Sequence, residues 1–352
     1  MQDFFFRQTL PVYLNTYMQQ LKFAIIGCGK ISIRHAEQAS KFGSIAGVCD
    51  IVKERADALA ASFNTKAFYH ITDLFNQLKN IDITSVCTPN GLHSEHSVLA
   101  LNAGSNVLCE KPMSISSDSA KKMMQTAHAN NKKLFVVKST RYNPALVELK
   151  KIIADNKLGK LFSFQLSCFW NRPAAYYTDS WKGTIDLDGG TLFTQFSHYI
   201  DAMLWLFGDM KSVSGNRKNL SHQESIEFED CGSASLEMEN GMIGGLNWSV
   251  NTFQKNMEVS LTVIAEKGSV RIGGEYMNKM EYQLLEDTAI TFENSGSAND
   301  YGFYKGSMSN HDKIYENLVL ALKDDSHPFS YAFDGLKTVE TIEKIYQTIP
   351  LT

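Results

Sequence analysis

Paired cysteines are missing from this sequence. It has six cysteines, Cys28, Cys49, Cys87, Cys109, Cys168 and Cys231, and none forms a CxxC pair. Scattered through mostly apolar runs, they read as buried free thiols of a reducing compartment, which excludes a disulfide or zinc framework. No apolar run approaches the roughly 20 residues that cross a bilayer, so no transmembrane helix and no membrane insertion are expected. Basic excess is missing too: 34 Lys and Arg against 38 Asp and Glu leave a formal charge of −4. A nucleic-acid partner would call for a basic face, so none is expected. Internal repeats and low-complexity tracts are absent. Residues 1–20, MQDFFFRQTLPVYLNTYMQQ, lack the basic start and apolar core of a signal peptide, and Pro11 interrupts them. They read as an extension, or as an upstream start with Met18 as the natural beginning. What remains is a cytoplasmic globular chain of 352 residues, 43% hydrophobic and long enough for two domains.

The chain is organised around Leu21 to Ser32, LKFAIIGCGKIS. The apolar run Phe23 to Ile26 reads as a short buried strand, and Gly27-Cys28-Gly29 as a turn too tight for side chains. From Lys30 and Ile31 to Phe42, helical spacing resumes. A strand, a glycine turn and a helix N-terminus make an anion site, because unpaired N–H groups and the helix dipole face the turn. The pyrophosphate of a dinucleotide is the usual occupant. The third glycine of that fingerprint is absent, its place taken by Ser32. A second strand, Ile45 to Cys49, ends in Asp50, at about the spacing of the acid that binds the adenosine ribose. A carboxylate there would repel a 2′-phosphate, so NAD is expected over NADP.

Strands and helices then alternate to about Thr140. The strand-end groups Thr88-Pro89-Asn90 and Glu110-Lys111-Pro112 fall with the glycine turn and Asp50 at the carboxyl edge of a predicted parallel sheet, where ligands gather. Beyond Pro144 the pattern changes. A helix over Ala145 to Asn156 precedes strand-like runs at Leu161–Phe169, Ser233–Met238, Met242–Val250, Glu258–Ala265, Ser269–Ile272 and Tyr282–Leu285. One helical segment, Gly190 to Phe207, interrupts them, and helices over Asp312–Lys323 and Asp334–Gln347 close the chain. The expectation is an α/β protein. An NAD-binding Rossmann domain occupies residues 21–140, and an α+β domain with an open, mostly antiparallel sheet occupies residues 141–330. A closing helix takes residues 331–352.

This order, with Cys109-Glu110-Lys111-Pro112 and then Asp188-Gly189-Gly190 through His198 and Asp201, resembles the Gfo/Idh/MocA oxidoreductase family from residue 21 onward. Phe135 to Lys138 with Arg141 and Asn143, Phe169 to Pro173 with Tyr176 and Tyr177, and Gln195 to Tyr199 are similar to its bacterial UDP-N-acetylglucosaminuronate 3-dehydrogenases, as is Gly27-Cys28-Gly29 followed by Ser32. The resemblance implies oxidation of a sugar 3-hydroxyl to a ketone for surface polysaccharides such as lipopolysaccharide. It also implies 2-oxoglutarate as a reoxidant of NAD, a homodimer or homotetramer, and a cis Lys111–Pro112 bond that aims the amine at the nicotinamide. Thr194 departs from the pattern: four residues before the histidine the family carries Asp, and the sugar-nucleotide subgroup Asn.

Oxidising a secondary alcohol needs a base and support for negative charge on oxygen. His198, whose ordinary pKa lies near working pH, is the expected base, set against a structural histidine with a satisfied ring. Lys111, ending a buried strand, is expected to face the crevice, bind the reacting oxygen and, with a lowered pKa, help pass the proton, rather than snorkel out; which of Lys111 and His198 takes the proton first stays open. Lys138, Arg141 and Arg172 are candidate ligands for a diphosphate and a uronate, with Asn143, Tyr176, Tyr177, Thr194 and Gln195 beside them. Asn90 and His93 are expected along the cofactor near its nicotinamide end, with Glu110 at the same edge. His93 and His96 lack a third ligand, so no metal is expected. Trp170, Trp181, Trp205 and Trp248 read as core or domain-interface residues. Two other readings stay open: a dehydrogenase of another sugar or inositol, and a cofactor-binding regulator without catalysis.

Overall fold

Strand and helix alternate from Leu21 onward in the computed structural model, which describes residues 21–352 except 179, 293–297, 301–304, 328, 330 and 331. The expected extension over residues 1–20 lies outside the described residues. The first layer runs β1 (Leu21–Ile26), α1 (Ser32–Phe42), β2 (Gly43–Cys49), α2 (Lys53–Ser62), β3 (Lys66–Phe68), α3 (Ile71–Gln77), β4 (Ile83–Val86), α4 (His93–Asn102), β5 (Asn106–Cys109), α5 (Ser117–Ala129) and β6 (Leu134–Val136). The six strands are all parallel, in the order β3-β2-β1-β4-β5-β6. Strands β4 and β6 are buried along their whole length, as continuous apolar runs covered on both faces must be. The order reverses between β1 and β4, which opens a crevice at their carboxyl ends.

The second layer follows α6 (Pro144–Ala154) with β7 (Leu161–Phe169), α7 (Ser197–Phe207), β8 (Met210–Lys218), β9 (Cys231–Met238), β10 (Ile243–Ser249), β11 (Glu258–Ala265), β12 (Gly268–Gly273) and β13 (Lys279–Leu285). These seven strands lie in the order β13-β12-β11-β7-β10-β9-β8. Only β7 and β10 pair in parallel; their neighbours are antiparallel. Phe164, Leu166, Trp248, Leu261 and Val263 alternate onto the inner face and are buried with residues of α6 and α7. Edge strand β8 has no counterpart in the sequence reading. Its residues MKSVSGNRK bury only Met210 and Val213, so no alternation marks it.

Short strands β14 (Ala298–Asp300) and β15 (Lys305–Met308) lead to α8 (His311–Lys323) and α9 (Ala332–Thr348). Helix α8 corrects the expected partition, which placed it with the second sheet. Ile314, Tyr315, Leu318 and Val319 pack with Phe23, Phe42, Ile83 and Phe135, so the helix returns to cover the first sheet. Helix α9 packs against α5 and α7 and so joins the two layers.

Candidate active site

The glycine turn is built for close approach. Gly27 has φ +90°, and a Cβ there would lie 2.7 Å from the Cys87 carbonyl carbon. At Gly29 an added Cβ would meet nothing within 4 Å, so space above the turn is open to a phosphate. No side chain caps α1 at Ile31, which leaves its first N–H groups to face an anion. Ser32 explains the missing third glycine: its hydroxyl, fully buried, donates to the Gly29 carbonyl at 2.5 Å and closes the turn. Asp50 accepts the Cys28 N–H at 2.7 Å and the Val52 N–H at 2.8 Å. Each of its oxygens keeps an acceptor position for a ribose hydroxyl. Lys30 stands exposed beside the turn. These groups fit a dinucleotide.

At the end of β4, Pro89 precedes a helical turn at Asn90–Leu92. Asn90 Nδ2 donates across the crevice to the Asp188 carbonyl at 2.8 Å and to Thr194 Oγ1 at 2.7 Å. His93, expected along the cofactor, is buried. Its ring nitrogens face the Pro112 carbonyl at 2.6 Å and the Thr88 carbonyl at 2.8 Å, so it clamps the Glu-Lys-Pro turn. His96 faces the Thr88 hydroxyl at 3.0 Å rather than sharing a ligand set with His93. The Lys111–Pro112 bond is cis.

Glu110 is buried below that turn. One oxygen accepts the Lys111 N–H at 3.0 Å; the other faces His35 Nε2 at 2.9 Å and His311 Nε2 at 3.3 Å. Burial opposes its charge, but the bonds from His311 and His35 hold its pKa well below the usual carboxylate range. Burial likewise lowers His35, so its ring is neutral. With Nε2–H given to Glu110, His35 Nδ1 accepts from the Tyr315 hydroxyl at 2.9 Å, which in turn accepts from Ser85 at 2.9 Å. The polar atoms of His35, Glu110 and His311 lie within 4.8 Å of one another, with both Nε2 atoms spent on the Glu110 carboxylate. Sequence reading missed this network because His311 and Tyr315 lie some 200 residues from Glu110.

From here the Lys111 amine reaches across to the second domain and donates to the Thr194 carbonyl at 2.7 Å. Burial lowers its pKa to about 8; Glu110 and Asp188 oppose this, and Arg172 and Lys138 add to it. The residues facing it correct another expectation. The segment read as one helix begins with a π-helical turn, Leu192–Phe196, before α7 starts at Ser197. Such turns are frequent at functional sites. His198 is buried on α7, and its Nδ1 has no partner among the described residues. Burial and then the Lys111 charge hold its pKa well below the ordinary value, so the ring is neutral. The Thr194 hydroxyl lies against the Asp188 carboxylate.

The cation cluster is largely committed elsewhere. Lys138 Nζ lies 2.9 Å from Asp201, and Arg141 grips the same carboxylate through Nε at 2.7 Å and Nη2 at 2.8 Å. Arg141 also donates to Asp334. Asn143, buried, donates to the Tyr276 carbonyl and accepts from Asn310, holding the start of α6. Arg172 stays nearer the site: Nε donates to Gln195 Oε1 at 2.8 Å, and the guanidinium stacks 4.8 Å over Trp170. Gln195 donates to the Tyr176 hydroxyl at 3.1 Å. Tyr176 and Tyr177 meet edge to face and pack with Ile226 and Phe228. Lys182, over the Tyr176 ring at 4.6 Å, is a crevice cation that no motif had marked.

A doubly wound sheet with a fitting dinucleotide turn, and a lysine that reaches from its edge to the segment carrying a buried histidine, define an NAD-dependent oxidoreductase. Two family models match: an oxidoreductase family NAD-binding Rossmann fold over residues 21–138, and a GFO/IDH/MocA C-terminal domain over residues 146–271. The chain belongs to the Gfo/Idh/MocA oxidoreductase family. Among solved structures it is similar to the WlbA dehydrogenase of Bordetella pertussis, in complex with NADH and UDP-GlcNAcA. That match has 30% identity and a TM-score of 0.84 and covers 94% of this chain and 96% of the other. The WlbA dehydrogenase of Chromobacterium violaceum, with the same ligands, matches at 30% identity and TM-score 0.85 over 94% of each chain. The glucose-6-phosphate 3-dehydrogenase of Bacillus subtilis is 30% identical over 190 residues, 53% of each protein. The chain thus spans about half the length of that curated relative.

Proposed function

We propose that this protein uses NAD to oxidise the 3-hydroxyl of a UDP-N-acetylglucosaminuronate-type sugar nucleotide to a ketone, as a cytoplasmic step toward surface polysaccharide. The observation that carries the reading is Lys111 bonded to the carbonyl of Thr194 on the segment that leads to His198, whose ring feels the Lys111 charge, in a chain similar over 94% of its length to proteins holding NADH and UDP-GlcNAcA. NAD, when bound, supplies the hydride acceptor. The Gly27–Gly29 turn and α1 hold its pyrophosphate, and Asp50 its ribose. Lys111, its amine near 8, takes the hydroxyl proton at Nζ as the C3–H bond breaks, and the ammonium then supports the new carbonyl oxygen. His198, neutral, accepts a hydrogen bond from the substrate and orients it. Arg172, Gln195 and Tyr176 form the polar wall for the sugar. The exposed Ile243, Ile264, Tyr282 and Leu284 on the outer face of the second sheet support a homodimer or homotetramer.

A second reading, a dehydrogenase of another sugar or polyol, draws support from Asp201 and Asp334, which pair with Lys138 and Arg141 and leave fewer cations for a nucleotide diphosphate. A regulator without catalysis would have no use for both Lys111 and His198. The test is to identify the nucleotide released from purified protein, then supply UDP-GlcNAcA, glucose 6-phosphate and myo-inositol separately, each with 2-oxoglutarate as reoxidant. Ketone formation from UDP-GlcNAcA alone is expected. Turnover of glucose 6-phosphate or inositol instead selects the second reading.

A further inference from the structure

A carboxylate that no expected role absorbs sits at the centre of the crevice. Asp188 is 1% exposed, just before the Gly189–Gly190 turn that enters the π-helical segment. A carboxylate so buried is costly unless it is hydrogen-bonded and paired. Its bonds are a Gly183 N–H at 2.8 Å and the Thr194 hydroxyl. The Thr194 oxygen, in turn, accepts from Asn90 Nδ2 at 2.7 Å, so its single proton goes to Asp188, whose carboxylate and backbone carbonyl, the latter at 3.1 Å, both face it. The carbonyl of the same threonine accepts the Lys111 amine at 2.7 Å. The end of β4, the Glu-Lys-Pro turn and the π-helical turn therefore all meet on residue 194, and Asp188 is the anion at that junction.

We propose that Asp188 is a positioning residue for the reaction, which through the Thr194 hydroxyl holds residue 194 against Lys111 and sets the charge the lysine amine feels. This rests on the reading of Lys111 as proton acceptor. The charged groups facing Asp188 are Lys182 and Lys111, which favour its ionised form, and Glu229, which opposes it. Those facing Lys111 are Glu110 and Asp188 on one side and Arg172 and Lys138 on the other, with neutral His198 nearby. Burial raises Asp188 to about 7 against the Lys111 charge, and lowers Lys111 against the Asp188 charge, so each influences the other's titration. An ionised Asp188 favours the ammonium and strengthens Lys111 as a base; a neutral residue 188 weakens it. A hydroxyl suffices at position 194 because the carboxylate comes from position 188.

The test reads Lys111 directly, without substrate. In the full-length protein the rate of Lys111 modification by a small amine-selective acylating reagent is followed against pH by peptide mass spectrometry. Asp188→Asn is expected to move that titration acidic by about one pH unit, and the rising limb of kcat with UDP-GlcNAcA to move with it while KM changes little. Thr194→Val, which removes one of the two donors to the Asp188 carboxylate, is expected to shift it the same way, and Thr194→Ser to restore the wild-type curve. If Asp188→Asn does not fold, the Val and Ser pair decides. Superimposable Lys111 titrations in wild type, Asp188→Asn and Thr194→Val would overturn the proposal. Undiminished turnover in Lys111→Ala would instead overturn the reading beneath it.

Discussion

Asp201 receives two of the three cations, Lys138 and Arg141, that the sequence had offered to a substrate. Burial alone would raise its carboxyl, yet Lys138 and Arg141 hold it at about 2. Its unfolded value lies near 3.9, so the lowered folded value contributes stability that is complete above pH ~4 and lost as pH falls through ~2. The expected contribution is about 2 kcal/mol, and denaturant unfolding between pH 5 and 2 should show Asp201→Asn losing that pH dependence. Because removal leaves two buried cations, the substitution should also cost about 3–5 kcal/mol near neutral pH. Nothing in the sequence revealed this pairing: Asp201 lies 60 residues beyond Arg141, and each has the residue type of a ligand. Lys111 and His198 could be expected in the crevice because each follows from a local pattern, a proline after a strand and a Gly-Gly entry eight residues before the histidine. The proton affinity of Lys111 follows the same logic as Asp201. If the neutral amine is the acceptor, kcat should rise with pH through about 8. Glu110→Gln, which removes a charge favouring the ammonium, should move that limb acidic in a pH–rate profile.

At the scale of elements, the start of α7 depends on a residue near the other end of the chain. Gly190 has φ +129°, and a Cβ there would stand 2.6 Å from the Tyr346 hydroxyl. That hydroxyl accepts the Leu192 N–H at 2.8 Å and donates to Glu229, which ties α9 to the π-helical turn. Tyr346→Phe leaves both partners unsatisfied and should cost about 1–3 kcal/mol in chemical unfolding. Because the turn it anchors carries Thr194 and leads to His198, kcat should fall further than the small stability loss explains. The apolar spacing from Gly190 to Phe207 made a helix legible. Its first turn is widened by packing against Tyr346 and by Lys111 taking the Thr194 carbonyl, neither of which leaves a periodic trace. Strand β8 was hidden for the opposite reason: as an edge with two buried side chains it needs little apolar residue content.

Across the whole molecule the two-layer plan was legible, since the switch from alternating strands and helices to consecutive strands falls near Pro144. The path of the C-terminus was not. Helix α8 is amphipathic, and only the fold shows that its apolar face covers β1 and that His311 and Tyr315 support Glu110. Asp50 lies on the first layer's ligand edge, and calorimetry should find NAD bound at least about tenfold more tightly than NADP, with the gap narrowed in Asp50→Ala. Light scattering should likewise show a dimer or tetramer in wild type and smaller species in Ile264→Asp/Leu284→Asp. The central claim joins both layers: a sugar C3–H on the second faces the nicotinamide site on the first, with Lys111 between them. Its most direct measurement is single-turnover transfer from UDP-GlcNAcA deuterated at C3, read by mass spectrometry of the recovered nicotinamide nucleotide. Deuterium should appear in the reduced nucleotide from wild type and be lost, by a factor of about 10²–10⁴ in rate, from Lys111→Ala. A reduced nucleotide without deuterium, or equal transfer in the two proteins, would contradict the account.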